Sequence, residues 1–577
     1  MKTYKGIAAS SGIAIGPLWV YKPVTVDVQR QPIQDSESEI QRLASAIAQA
    51  NVQLGELQSK AAETIGEDEA AIFEAHQMFL IDPEFLDTIH AIIRTEEINA
   101  EAAAQDGVEA YAQQLEMLED EYFRSRAQDV RDVGRRILYC LAGINTNELT
   151  PKPEQPAIVL AEDLTPSDTV QFEKDNVLGL CTVRGGPTSH TAILARSMGV
   201  PAVVSLAVNP DEQQNGDQVI LDGRIGELTV APDESALADA QNLQAHWLNQ
   251  QEVELASAHE PAITLDGHAV EVVANIGSLA DAEQALHFGA EGVGLFRTEF
   301  LYLSRDRMPD EDEQVKEYQP IFEKFVDKPV VVRTLDIGGD KDVPYIGFKN
   351  EANPFLGWRA IRMIDEYEDV LRTQFRALLR AGANTDLRIM VPMVSRLTEV
   401  ENARQLLVEA QESLKKDALP YAENVQFGIM IEIPSAVLIA EHVAPLIDFF
   451  SIGTNDLTQY TMAVDRTNER VADIASPFHP SVLRLISMTI EAAHKHKKWV
   501  GLCGEMAGNP LAVPLLLGLG LDEFSMSAVS VPEIKSVLRM YSLEESRTIA
   551  ESCLSLPKSS AVHSYLEVLY AQKRKPN

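Results

Sequence analysis

Cysteine is scarce: four in 577 residues, Cys140, Cys181, Cys503 and Cys553, far apart and with no Cys-x-x-Cys pair. That spacing excludes a disulfide scaffold and the usual zinc frameworks, and it suits a reducing, cytoplasmic setting. Long apolar runs are missing too. The longest, Leu511 to Leu521, falls well short of the ~18 residues a membrane helix needs. Positive charge is in deficit, with 49 basic against 87 acidic residues and a net charge of −38. Such a chain repels nucleic acid and anionic membranes and favours small ligands or basic protein partners. No Gly-x-x-x-x-Gly-Lys-Ser/Thr phosphate loop occurs. The mildly apolar stretch Gly6 to Tyr21 is broken by Ser10, Ser11, Gly12 and Gly16, and reads as strand and turn rather than a signal peptide.

What is present is the composition of a soluble globular protein, 45% hydrophobic and 24% charged, which excludes a mainly disordered chain. Its length predicts three or four domains. Residues 1–24 read as strand with glycine turns. From Ser36 the pattern becomes helical, with Ile40, Leu43, Ile47, Leu54 and Leu57 on one face and Asp35 or Ser36 as the cap. Breaks are expected near Gly66, Asp82-Pro83 and Thr95. From Ser36 to Leu141 there are 22 acidic and 8 basic residues, a dense negative surface. The pattern predicts an all-helical insertion, residues 25–142, within an α/β domain of residues 1–24 and 143–232. A helical linker follows over 233–259.

Residues 260–577 alternate strand-like and helical segments eight times. The strands are expected at Val270–Ile276, Gly292–Thr298, Pro329–Asp336, Leu387–Val394, Val425–Ile433, Phe449–Asn455, Val500–Glu505 and Glu523–Met526. Eight such units predict a TIM (β/α)8 barrel, with a doubly wound open sheet as the alternative. The fold class is thus multidomain α/β.

A barrel carries its active site at the carboxyl ends of its strands. Those ends hold Arg297 and Glu299, Arg333 and Asp336, Met393, Glu432, Asn455 and Asp456, and Cys503 and Glu505. Lys341 and Arg466 lie on loops just beyond. Two arginines converging on one point suit an anion. Glu432 and Asp456 suit a hard cation such as Mg²⁺, which takes one or two carboxylates plus substrate oxygens and water. The implied ligand is a phosphorylated or carboxylated small molecule. Any one of these charges alone is more simply a solvated loop residue, and a lone cysteine in a barrel strand is usually packing.

The second constellation is Gly185-Gly186-Pro187-Thr188-Ser189-His190-Thr191-Ala192-Ile193-Leu194-Ala195-Arg196. Glycines let backbone approach a ligand closely, and His190 precedes an apolar helical run. A helix N-terminus favours an anion there, so a neutral imidazole at this place can attack phosphorus.

The run Gly-Gly-x-Thr-Ser-His-Thr-Ala-Ile-x-Ala-Arg resembles the phosphohistidine motif of enzymes that use phosphoenolpyruvate. Gly292–Phe300, Phe449–Tyr460 and Gly501–Ala507 resemble the same family's substrate site. Together they resemble Enzyme I of the bacterial sugar phosphotransferase system. One departure stands in the motif: Pro187 occupies a place where that family usually has arginine. The resemblance implies that His190 accepts the phosphoryl group through Nε2 with Thr169 hydrogen-bonded to it. It implies that Arg297, Arg333 and Lys341 clamp phosphate, Glu432 and Asp456 hold Mg²⁺, and Asn455, Asp456 and Arg466 hold the substrate. Cys503 would protonate the enolate carbon of pyruvate. The helical insertion would dock the phosphocarrier HPr through Glu67, Ile72, His76, Phe79 and Arg126, and the barrel would form a homodimer. A pyruvate–phosphate dikinase would need an ATP-binding domain for which no stretch of this chain is free.

Overall fold

In a computed structural model the protein is described over residues 1–577 except 65–66, 118–120, 145–151, 154, 173, 187–188, 304, 306, 340–342, 348–350, 466–467, 469–470, 472–473 and 575–577. The chain divides into two units, Met1–Gln250 and Gln251–Asn577.

The first unit begins with strands β1 (Lys2–Lys5), β2 (Ile7–Ser10) and β3 (Ile13–Val20). Five helices follow: α1 (Ser36–Thr64), α2 (Glu67–Ile81), α3 (Pro83–Glu96), α4 (Ala100–Met117) and α5 (Glu121–Leu141). Their starts follow capping chemistry. Asp35 Oδ1 accepts from the backbone of Glu37 and Ser38 at the head of α1. Asp82 Oδ1 accepts from Phe85 N at 2.9 Å, with Pro83 in the first helical position of α3, where its missing N–H costs nothing. Leu43, Leu54, Phe73, Phe85, Ile89, Val130 and Ile137 close their own core. The predicted break at Gly66 lies outside the described residues.

The chain then returns to the sheet through β4 (Ala157–Ala161), the single-turn α6 (Pro166–Thr169), β5 (Val177–Thr182), α7 (His190–Met198), β6 (Ala202–Val204), β7 (Gln218–Asp222) and β8 (Glu227–Val230). The eight strands run in the order β1-β8-β7-β3-β4-β5-β6-β2. The centre, β3-β4-β5-β6, is parallel, with β7, β8, β1 and β2 antiparallel around it. The all-apolar β4 is buried at every position, as expected of a central parallel strand.

Helix α8 (Glu234–Ala256) spans the division between the units. In the first unit its Gln244 Nε2 donates to Ile13 O at 2.7 Å. In the second, Glu254 pairs with Arg574 at 3.1 Å.

The second unit is a closed barrel of eight parallel strands: β9 (Glu271–Ile276), β10 (Val293–Arg297), β11 (Pro329–Arg333), β12 (Asp386–Val391), β13 (Gln426–Ile431), β14 (Phe449–Ile452), β15 (Trp499–Leu502) and β16 (Glu523–Met526). The closed barrel excludes the open sheet. Its interior is packed by Leu295, Val331, Met390, Met430, Phe449 and Cys503. Several strands end earlier than expected, β11 at Arg333 rather than Asp336 and β14 at Ile452 rather than Asn455. One residue past β11, Thr334 N still donates to Met390 O, and then Leu335 N turns to the Gln374 side chain; past β12, Met393 N donates to Glu432 Oε2. Glu299, Asp336, Glu432 and Cys503 sit just past the strands, Asn455 and Asp456 lie in the helix Thr454–Met462, and Glu505 opens a short 3-10 turn. Among the described residues no helix is long and apolar enough to cross a membrane.

Candidate active site

His190 is the first residue of α7, a nine-residue helix that ends on Gly199 in the left-handed conformation. Ser189 occupies the N-cap, but its side chain makes no capping hydrogen bond, and its Oγ is buried with no hydrogen-bond partner among the described residues. The backbone reaches this helix through Gly185, at φ +95°. His190 is accessible at its surface, yet enough protein surrounds it that loss of water pushes its pKa below the ordinary 6.5. The charges acting on it are Asp129, which raises the pKa, His76 and Arg126, which lower it, and Asp163, which raises it. Burial is the largest of these effects, so the imidazole is mainly neutral at pH 7 and has a lone pair to offer. Pro187 and Thr188 lie outside the described residues. The hydroxyl of Thr169 donates to Pro166 O at 2.9 Å, and no hydrogen bond from it to His190 is among those described.

At the barrel mouth the side chains form a network of buried charge. Arg333 donates to Glu299 Oε1 at 2.6 Å and pairs with Asp336 Oδ2 at 3.0 Å. Arg359 grips Asp336 with two hydrogen bonds of 2.8 and 2.9 Å and reaches Asp456 Oδ2 at 3.4 Å. These two guanidiniums face four carboxylates, Glu299, Asp336, Glu432 and Asp456, all buried. Burial first, then the charges of Asp456 and Asp336, push the Glu432 carboxyl well above the usual carboxylate range, against the pull of Arg359 and Arg333. Glu432 Oε1 is buried with no hydrogen-bond partner among the described residues. An excess of buried carboxylate, with an oxygen left unbonded, fits a hard divalent cation. Among the described residues no group of three or more His, Cys, Asp or Glu side chains gathers to hold a metal. Glu432 and Asp456 are the two carboxylates here that could anchor such an ion, with substrate and water completing the shell.

Arg297 is half-buried, its guanidinium 5.3 Å from the Phe300 ring, and its Nε is buried without a hydrogen-bond partner among the described residues. That donor is available to an anion. Asn455 and Glu505 bond reciprocally, Asn455 Nδ2 to Glu505 Oε1 and Glu505 N to Asn455 Oδ1, each at 3.1 Å. Cys503 follows β15 directly and is buried, 3.3 Å from Ser451 Oγ. Burial pushes its thiol up to about 12, so it stays protonated at neutral pH and is a potential proton donor. Lys341 and Arg466 lie outside the described residues.

Comparisons with known proteins match most of the chain. The family described as PEP-utilising enzyme, N-terminal, matches residues 5–126, its mobile domain 153–226, and its PEP-binding domain 251–543. The chain is 46% identical over 566 residues to the phosphoenolpyruvate-protein phosphotransferase of Geobacillus stearothermophilus, covering 98% of each chain. It is 43% identical over 570 residues to that of Bacillus subtilis, covering 98% of this chain and 99% of the relative. With that of Listeria monocytogenes it shares 43% over 574 residues, covering 99% of this chain and all of the relative. The chain belongs to the phosphoenolpyruvate-protein phosphotransferase family.

The helical residues expected to meet a partner fare unevenly. Glu67 is the first residue of α2. Ile72 and Phe79 pack against the helical core, and Arg126 donates to Asp129 Oδ2 at 2.9 Å. His76 is fully buried and offers no surface to a partner, because its ring is enclosed between α2 and α5. The apolar side chains that this subdomain does expose include Met78, Ile81 and Met117, at 67%, 70% and 81%. Sequence reasoning missed these, and it also missed Arg359. No motif marked Arg359, whose role follows from a loop that folds back over the barrel. Gly338, at φ +97°, permits that path, since a Cβ there would lie 3.0 Å from Arg359 Cα.

Proposed function

We propose that this protein transfers the phosphoryl group of phosphoenolpyruvate to Nε2 of His190, releasing pyruvate, and then to a histidine of the phosphocarrier HPr. The observation that carries this reading is the pairing of two unlike sites. One is an accessible imidazole, mainly neutral, at a helix start. The other is a buried basket of arginine and carboxylate beside a protonated thiol.

Residues 260–577 bind phosphoenolpyruvate. Arg297 and Arg333, with Lys341, hold the phosphate, while Asn455, Asp456 and Arg466 orient the carboxylate end. Phosphoryl transfer depends mainly on positioning and charge neutralisation, and the Arg333 guanidinium, already fixed by Glu299 and Asp336, needs no rearrangement as charge moves. The bond from His190 Nε2 to phosphorus forms as the bond from phosphorus to the enol oxygen breaks. The enolate carbon then takes the Cys503 proton, giving pyruvate, and the thiolate regains a proton from water. Mg²⁺, when bound by Glu432 and Asp456, would supply neutralisation of the phosphate oxygens.

The α/β domain of residues 1–24 and 143–232 carries His190, and the helical subdomain of residues 25–142 receives HPr. An acidic face with exposed Met78, Ile81 and Met117 suits a basic carrier with an apolar centre. Glu67 and Arg126 would flank that contact. The helical segment 233–259 is the hinge, and the barrel domain pairs as a homodimer in the cytoplasm. The test is a relay: protein labelled from ³²P-phosphoenolpyruvate with Mg²⁺ and no ATP passes its label to added HPr. A chain that labels but never discharges to HPr contradicts the reading.

A further inference from the structure

Inside the barrel a short chain of hydrogen bonds runs through Cys503. Along β14 the side chains alternate: Phe449 packs inside the barrel with Cys503, while Phe450 and Ile452 pack in the outer layer against the helices. Ser451, two residues on from Phe449, therefore points inward and is 1% exposed. Its Oγ lies 3.3 Å from Cys503 Sγ, its one hydrogen-bond partner among the described residues. The Cys503 backbone is held as well. Asn275 Nδ2, on β9, donates to Cys503 O at 3.0 Å, and Ser525 Oγ, on β16, donates to Asn275 Oδ1 at 2.6 Å. Cys503 N donates to Ile452 O at 3.0 Å, and Sγ lies 3.8 Å from that same oxygen. This carbonyl is already bonded, so the thiol proton turns away from it at little cost. A thiol sulfur is a weak acceptor and a poor reason to bury a hydroxyl. The thiolate that Cys503 becomes on giving up its proton is a strong one.

We propose that Ser451 is a positioning residue for the proton transfer that makes pyruvate: its O–H holds Cys503 Sγ and bonds to the charge left there as the proton departs. In that step the S–H bond breaks and its electron pair stays on sulfur. The C=C pair of the enolate forms the new C–H bond while the enolate oxygen re-forms the carbonyl. The resulting thiolate is largely shut away from water, where an unpaired charge is costly, and Ser451 already stands in place to donate to it. A contact that strengthens only as charge develops speeds the step without tightening substrate binding. The proposal rests on the reading of Cys503 as the acid.

The experiment follows single-turnover pyruvate formation by rapid quench, in the full chain with Mg²⁺, over a range of phosphoenolpyruvate concentrations. Each variant then yields a maximal rate and a half-saturating concentration. Ser451→Ala is expected to lower the maximal rate roughly tenfold, the scale of a hydrogen bond to a charged group, and to leave the half-saturating concentration unchanged. Placed on top of Cys503→Ala, the same substitution should cost nothing further, because it acts through the sulfur. A merely structural lesion would raise the half-saturating concentration or slow both backgrounds alike. An unchanged rate in Ser451→Ala, a loss accounted for by weaker saturation, or the same loss with and without the thiol overturns the proposal. Cys503→Ala alone separates the two levels. If it forms pyruvate at the wild-type rate, the acid reading fails and this proposal with it. If it is slow while Ser451→Ala is normal, the acid reading stands and only the role of Ser451 falls.

Discussion

The two sites of this molecule are built on opposite principles. His190 stands at the accessible start of a short helix, and its surroundings are sparse: partial burial, a helix N-cap without a side-chain bond, and a few charges on α5 and α2. The barrel site is the reverse. Arg333, Arg359, Glu299, Asp336, Glu432 and Asp456 are almost fully removed from water; all but Glu432 are joined by bonds of 2.6–3.4 Å, and Glu432 accepts from Met393 N. A group that must serve two partners has to remain reachable, and it is tuned lightly. A site that must stabilise migrating charge gains from rigid, dehydrated dipoles and ions. The contrast predicts that substitutions in the barrel cost stability as well as activity, while substitution of His190 costs activity alone.

The sharpest way to break that contrast is Arg333→Met. It leaves Glu299 without its compensating charge in a buried place and Asp336 with Arg359 alone, and removing one partner of such a pair costs about 3–5 kcal/mol. Thermal or denaturant unfolding should show that loss, together with loss of phosphoenolpyruvate turnover. Unchanged stability would mean the network is less coupled than its geometry implies. Next comes Cys503→Ala. The guanidiniums and carboxylates remain, so calorimetry should find near-normal substrate binding, while a coupled assay should find pyruvate formation down by roughly 10²-fold, the low end of general-acid effects. Normal turnover would assign the thiol to packing, and the proton would have to come from elsewhere, with Glu505 or water as the next donors.

Gly504→Ala probes the loop that sets Asn455. A Cβ at 504 would fall on Thr454 Oγ1 and within 2.6 Å of Thr454 N. Overpacking of this kind costs about 1–3 kcal/mol and should weaken substrate affinity more than the chemical step, read as a rise in KM larger than the fall in kcat. The smallest effect belongs to His190. Its pKa lies below 6.5, so the neutral, accepting form is retained above that value and lost as pH falls through it. Between pH 8 and 7 the rate of acceptance should change by less than about twofold. An acid limb centred above pH 7 would contradict the account of its surroundings.

Much of this was legible in the sequence because the governing patterns are local or periodic. The eight strand-like segments became the eight barrel strands, and Asp35 and Asp82-Pro83 mark helix starts through capping, which operates over three residues. What was illegible depends on the tertiary path. The strands were drawn too long at Asp336, Asn455 and Glu505, since nothing local tells a residue whose N–H pairs with a strand from one whose N–H meets Gln374 or Asn455. Arg359 was invisible because its partners, Asp336 and Asp456, lie 23 and 97 residues away. His76 was misplaced on a docking face because the spacing of α2 does not reveal that α5 brings two aspartates over it.

The central claim, that substrate is held in the barrel while His190 alone accepts the phosphoryl group, is tested most directly by peptide mapping. The pure chain and its His190→Ala variant are incubated with ³²P-phosphoenolpyruvate and Mg²⁺ in the absence of ATP. The account predicts acid-labile label confined to the His190 peptide of the wild-type chain, none on His190→Ala, and phosphoenolpyruvate affinity of the variant unchanged by calorimetry. Label retained by the variant, or mapped to another peptide, would contradict it.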